Sequence, residues 1–139
     1  MTESLLRPKF RLSLLGRFVL TGPDGDISLP NKKLAGLLAY LGCTAPAAQP
    51  RERLSTLLWG SHFDAQAKQN LRQAVFKLRQ ALGHDALESS GELVSVNSTM
   101  ILCDVSEFEA LVREGGRDAL SAAADLYRGR FVDDVNVNE

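Results

Sequence analysis

Apolar and polar residues alternate through Phe10, Leu12 and Leu14. That period of two predicts a half-buried strand over residues 9–15. A second strand is expected over 18–21. Gly22, Pro23, Asp24 and Gly25 make a dense turn signal, and residues 27–29 are expected to return as a third short strand. The period then changes. Leu34, Leu37, Leu38 and Leu41 recur at helical spacing behind Asn31, a good N-cap, and predict a buried amphipathic helix over 32–42. Residues 45–50, with Pro46 and Pro50, read as a loop. A short second helix over 51–59 would turn Leu54, Leu57 and Leu58 inward and stop at Gly60. Asp64 is placed to cap a third helix over 65–82, which stops at Gly83. Two short stretches of alternating pattern then flank Ser90 and Gly91, a hairpin signal over 86–96, and residues 100–103 add a candidate strand. Asp104 and Glu107 form a pair resembling a capping box ahead of Val105, Phe108, Leu111 and Val112. Gly115 and Gly116 break that helix. A last one, over 117–127, would bury Leu120, Ala123, Ala124 and Tyr127.

The order is strands, three helices, a hairpin, then two helices. This predicts an α+β chain: an N-terminal antiparallel sheet, a winged helix-turn-helix of three helices and a C-terminal hairpin, then a short helical segment. In the winged helix-turn-helix, a short helix is followed by a longer one that enters the major groove of duplex DNA.

The third helix carries the chemistry. With about 100° per residue, Ala67, Leu71, Val75, Leu78 and Leu82 form one narrow apolar stripe. Gln66, Gln69, Gln73, Phe76, Lys77 and Gln80 lie on the opposite side. Arg72 and Arg79 flank the stripe, with Lys68 close by. The segment holds four basic residues and no acidic one. Glutamine can bond an adenine edge with its amide NH2 and carbonyl oxygen together, and Arg or Lys can bond guanine. Flanking cations would neutralise phosphates and set register. A merely solvated face would use the same helix formers, but it usually mixes signs through Glu–Lys pairs one turn apart. Phe76 is the odd member: an exposed aromatic calls for something to meet, such as a thymine methyl group or a protein partner.

Charge adds an asymmetry. The net charge is −1. Residues 1–103 carry 12 Lys and Arg against 8 Asp and Glu, while residues 104–139 carry 4 against 9. The first part can face phosphate and the second cannot easily do so. Arg51 and Arg53 open the second helix, where backbone N–H groups already favour a phosphate. Lys32 and Lys33 open the first helix against its dipole; they are either chance surface lysines or contacts to phosphate or to a protein such as RNA polymerase. Trp59 reads as a core anchor. The hairpin tip, Ser89 to Glu92, lacks Arg and Lys, so the wing is expected to contribute little beyond backbone and serine contacts.

Other classes find little support. No run of about 18 apolar residues exists to span a membrane, and the N-terminus lacks the layout of a secretory signal, so a cytoplasmic protein is expected. Cys43 and Cys103 lack metal-ligand spacing and read as buried reduced thiols. His62 and His84 sit in different loops without a nucleophile or carboxylate pattern. No G-x-x-x-x-G-K-[S/T] loop is present, and Asp133–Asp134 reads as a solvated pair. No catalysis, cofactor, metal or small-molecule substrate is expected.

Within residues 70–82, Leu71, Arg72, Lys77, Leu78, Arg79, Ala81 and Leu82, with Val75 as a conservative variant, resemble the recognition helix of SARP-type (antibiotic-regulatory-protein-like) bacterial transcriptional activators. Phe76 stands where that family usually has serine. Leu57 to Gly60 resembles the end of the family's second helix, and residues 34–41 its first. Residues 104–109 and 124–131 resemble the start of the bacterial transcriptional activator domain, a helical, tetratricopeptide-like module. The resemblance implies an OmpR-type winged helix over 1–103 and, over 104–139, the first two helices of an activator domain. Two solenoid helices cannot bury a full core, so a longer native protein is implied. It also implies binding to direct repeats near promoters and contact with RNA polymerase. The expected DNA-binding residues are Arg51, Arg53, Gln69, Arg72, Gln73, Phe76, Lys77, Arg79 and Gln80. The competing reading is a degenerate winged helix that binds protein and regulates a larger signalling molecule; it would gain if Asp133 or Asp134 covered Lys77.

Overall fold

A computed structural model describes residues 9–60 and 65–126, the last two in backbone only. Asp64, expected to cap the third helix, and Tyr127, expected in the last apolar stripe, lie outside the described residues, as do His62, Asp133 and Asp134.

The N-terminal sheet has four strands, in the order 25–26, 19–22, 10–13 and 101–103. Strand β1 (Phe10–Ser13) buries Phe10 and Leu12, with Leu14 just beyond. Strand β2 (Val19–Gly22) runs antiparallel to it, and β3 (Gly25–Asp26) returns beside β2. The third strand therefore falls on 25–26, not on 27–29. Gly22 pairs directly with Gly25, so only Pro23 and Asp24 make the turn and the return begins at once. The Gly25 φ of +120° is one that glycine adopts freely. Ile27 still donates its N–H to the Leu20 carbonyl at 2.7 Å before the chain leaves for the first helix. The sheet is also mixed rather than purely antiparallel. Strand β7 (Ile101–Cys103) lies parallel to β1 on its far side, with Leu12 level with Cys103.

Helix α1 (Lys32–Thr44) starts as expected: the Asn31 side chain accepts the Leu34 N–H at 3.0 Å. Leu34, Leu37, Leu38 and Leu41 are buried. Gly42 lies inside the helix, which runs on to Thr44. A Cβ at Gly42 would come within 2.7 Å of a Leu12 methyl, so glycine lets α1 approach β1 closely. Residues 45–50 are not all loop. Gln49–Pro50 forms a two-residue strand, β4, that pairs with the hairpin strand β6 (Leu93–Val96). With β5 (Leu87–Ser90) this makes a three-stranded wing, ordered β4-β6-β5. The turn is Gly91–Glu92, one residue later than expected, because Ser90 pairs with Leu93.

Helix α2 (Arg51–Trp59) buries Leu54, Ser55 and Leu58. Leu57, expected inward, is 45% exposed. Trp59 is half-buried against the core as an anchor at its edge. Helix α3 (Ala65–Leu82) buries all five residues of the expected stripe and Ala74 besides. Leu71 and Leu78 are among the most enclosed side chains, each burial contributing about 1.5–3 kcal/mol. Gly83 ends the helix, and one 3-10 turn (His84–Ala86) leads into β5.

Helix α4 (Asp104–Glu114) does not open with a capping box. The carboxylate of Asp104 is buried and reaches back to β1, accepting the N–H groups of Leu14 at 2.8 Å and Leu15 at 3.1 Å. The parallel register explains this. Because Cys103 is level with Leu12, Asp104 emerges beside the end of β1, next to the N–H groups of Leu14 and Leu15. Glu107 pairs instead with Arg11, at 2.7 Å. Val112 is 46% exposed rather than inward. After Gly115 and Gly116, helix α5 (Arg117–Leu126) buries Ala119 and Ala123, while Leu120 and Ala124 face out, a stripe one position from the expected one.

Both thiols are free. Cys103 is buried and Cys43 half-buried. Burial, more than any neighbour, pushes Cys43 up to about 12 and Cys103 up to about 11, so both stay protonated at neutral pH.

Candidate nucleic-acid interface

Helix α3 presents a ridge between two basic hollows. Gln66, Gln69, Gln73 and Gln80 are exposed, centred on the line opposite the buried Leu71. Two glutamines are held by neighbours on the same helix. Gln66 donates to the Asn70 side-chain oxygen at 2.9 Å, and Gln69 accepts from Arg72 at 3.0 Å. These i,i+4 and i,i+3 bonds fix the orientation of side chains that would otherwise be mobile.

On one side of the ridge, α3, the start of α2 and the 3-10 turn after α3 border an open cleft of about 470 Å³. Its walls are Arg51, Arg72, Val75, Phe76, Arg79, Gln80 and His84. Three guanidinium groups therefore border one hollow. Their internal partners are neutral, so their charge is not cancelled there. Arg51 donates to the Ser89 hydroxyl at 2.8 Å, Arg72 to Gln69, and Arg79 to the Leu87 carbonyl at 3.1 Å. Arg79 is half-buried, and its bond to the Leu87 carbonyl ties α3 to the wing; among the described residues its Nε finds no partner. On the other side lies a smaller hollow of about 190 Å³, bordered by Asn31, Lys33, Leu34, Trp59, Asn70, Gln73, Ala74 and Lys77. Lys33 reaches across and donates to the Leu58 carbonyl.

Of the expected site residues, Arg51, Arg72, Phe76, Arg79 and Gln80 are brought together in the first hollow, and Lys33, Gln73 and Lys77 in the second. Gln69 sits between them. Arg53 is turned to the Gln49 side chain at 3.0 Å and joins neither. Lys32 borders a separate groove with Arg17 and Asp26. The backbone N–H of Arg51, at the helix start expected to favour a phosphate, donates to the Glu92 carbonyl at 2.8 Å and ties the start of α2 to the hairpin turn. His84, Asn70 and Trp59 join the hollows without being expected there from sequence, while the Ser89 hydroxyl, in the wing tip expected to contribute serine contacts, accepts from Arg51. His84 is adjacent only because Gly83, at φ +106°, turns the chain back. No sequence spacing signals that.

Among the described residues no group of three or more His, Cys, Asp or Glu is arranged to hold a metal ion. No described helix is long and apolar enough to cross a membrane.

Comparison with protein-family models gives no match, and comparison with curated proteins gives no significant one. Among solved structures, the chain is similar to Mycobacterium tuberculosis EmbR, solved in complex with a low-affinity phosphopeptide, with a TM-score of 0.75 and 24% sequence identity. The likeness covers 91% of this chain but 38% of EmbR, so the chain spans well under half of that protein's length. At this identity the likeness speaks to the fold alone.

Proposed function

We propose that this chain is the sequence-specific DNA-binding part of a bacterial transcription regulator, with α3 lying in the major groove of duplex DNA. The observation that carries this reading is the pairing of an exposed glutamine ridge with a basic hollow on each side. A major groove presents base edges flanked by two phosphate backbones, one on each side. The ridge supplies donors and acceptors for bases. Arg51, Arg72 and Arg79 are set for one backbone, and Lys77 with Lys33 for the other. Arg53 contributes charge to the approach.

The remaining parts follow the same reading. Residues 1–103 form the DNA-binding domain, and residues 104–139 begin a helical domain. The likeness to EmbR and the resemblance to SARP-type activators support promoter DNA, with direct repeats, as the target in the cytoplasm. Lys32, outside both hollows, is then a candidate contact for RNA polymerase. Exposed Phe76 and an acidic second segment favour a protein-interaction module as the rival reading.

Selection from a random duplex pool tests the proposal. A common site should be enriched within a few rounds at moderate salt. A pool that stays unenriched, with no retained DNA, would sink the proposal.

A further inference from the structure

Phe76 is 61% exposed, more than any other large apolar side chain noted among the described residues. It is not a stray surface aromatic. By helical geometry it lies between the ridge, where Gln73 and Gln80 point, and the flank that carries Arg72 and Arg79. It also forms part of the wall of the cleft those arginines share with Arg51 and His84. An apolar ring left in water at this place stabilises nothing in the fold, whose core is complete beneath it through Val75, Leu78 and Leu82.

The DNA group that fits this placement is specific. In the major groove, thymine alone among the four bases carries an apolar group, its C5 methyl. That methyl projects between the base edge and the phosphate backbone of its own strand. A side chain standing between a base-reading ridge and a phosphate-binding cleft is therefore where a thymine methyl arrives. We infer that Phe76 is a specificity-determining residue that reads a thymine methyl, on the strand whose phosphate is held by Arg51, Arg72 and Arg79. This deepens the DNA-binding reading and rests on it. His84, at the far wall of the cleft, would contact the same backbone.

The inference separates from general DNA affinity because one methyl can be removed without touching charge. A duplex selected from a random pool is rebuilt with uracil in place of each thymine in turn. With the full chain, one substitution should weaken binding by about fourfold to tenfold, the loss of one buried methyl group. For Phe76→Ala and Phe76→Ser the thymine and uracil duplexes should bind equally. Phe76→Leu should restore part of the preference. Circular dichroism should give the same melting midpoint for all variants, since the residue is exposed. If the wild-type chain is indifferent to every thymine methyl yet still binds its selected site, this inference is overturned and the DNA reading stands. If the preference persists in Phe76→Ala, the methyl is read by another residue and the inference is equally overturned. If no duplex is bound at all, both fall, and Phe76 is left as a contact for protein.

Discussion

Replacing Arg72 and Lys77 together by alanine is expected to weaken duplex binding by at least about a hundredfold. The two cations stand on opposite sides of the α3 ridge, one in each hollow. Their joint loss removes an anchor from each DNA backbone. Hydrogen bonds to charged groups contribute about 1.5–3 kcal/mol each, so two account for a loss of that size or more. Neither residue supports the fold: both are exposed, and the Arg72 bond is to Gln69 on its own helix. The double variant should melt with wild-type cooperativity while fluorescence anisotropy shows no saturable binding at micromolar protein. Binding within about threefold of wild type would remove α3 from the interface.

The second large effect concerns stability. Asp104→Ala should destabilise the chain by about 2–5 kcal/mol, because it leaves the buried Leu14 and Leu15 N–H groups without an acceptor. For a chain of this size that lowers the melting midpoint by roughly 10 °C. Asp104→Asn keeps one acceptor oxygen and should lose about half as much. Arg11→Ala, which breaks the neighbouring pair with Glu107, serves as a control. That pair is partly exposed and should contribute under about 1 kcal/mol. Thermal melts followed by circular dichroism decide among these values. An Asp104→Ala midpoint within 2–3 °C of wild type would show that water replaces the carboxylate at little cost. At temperatures well below the midpoint, the variant's DNA affinity should be unchanged, because the bond joins β1 to α4, away from the α3 ridge.

Asp104 also marks where sequence reasoning stops. An aspartate just ahead of an apolar helical stripe has the pattern of a cap. What makes it a sheet-to-helix brace is the parallel pairing of β7 with β1, residues some ninety positions apart in sequence. A three-residue strand carries no mark of its partner. The same holds for β4, where Gln49 and Pro50 gain their ladder from the hairpin rather than from any strand propensity of their own. Leu57 and Val112 were misplaced for a related reason. In a short helix with apolar residues at adjacent positions, only the neighbouring element decides which of them turns inward.

Helix α3 was legible because it is long. Eighteen residues give five turns of consistent period, and its stripe is buried at every expected position. The polar ridge follows from the same geometry. The two hollows do not, since each is closed by residues from other elements: Arg51 and His84 on one side, Lys33 and Trp59 on the other. Sequence spacing identified the basic residues; the fold sorts them into two groups and sets Arg53 apart.

The most direct test of the account is the salt dependence of duplex binding. With about four to six phosphates neutralised, a plot of log affinity against log salt should fall with a slope of about −4 to −5. The Arg72→Ala, Lys77→Ala double variant should not approach that slope at any measurable affinity. A slope near zero in the wild-type chain, or binding that salt does not weaken, would contradict the claim that α3 and its two basic flanks hold DNA.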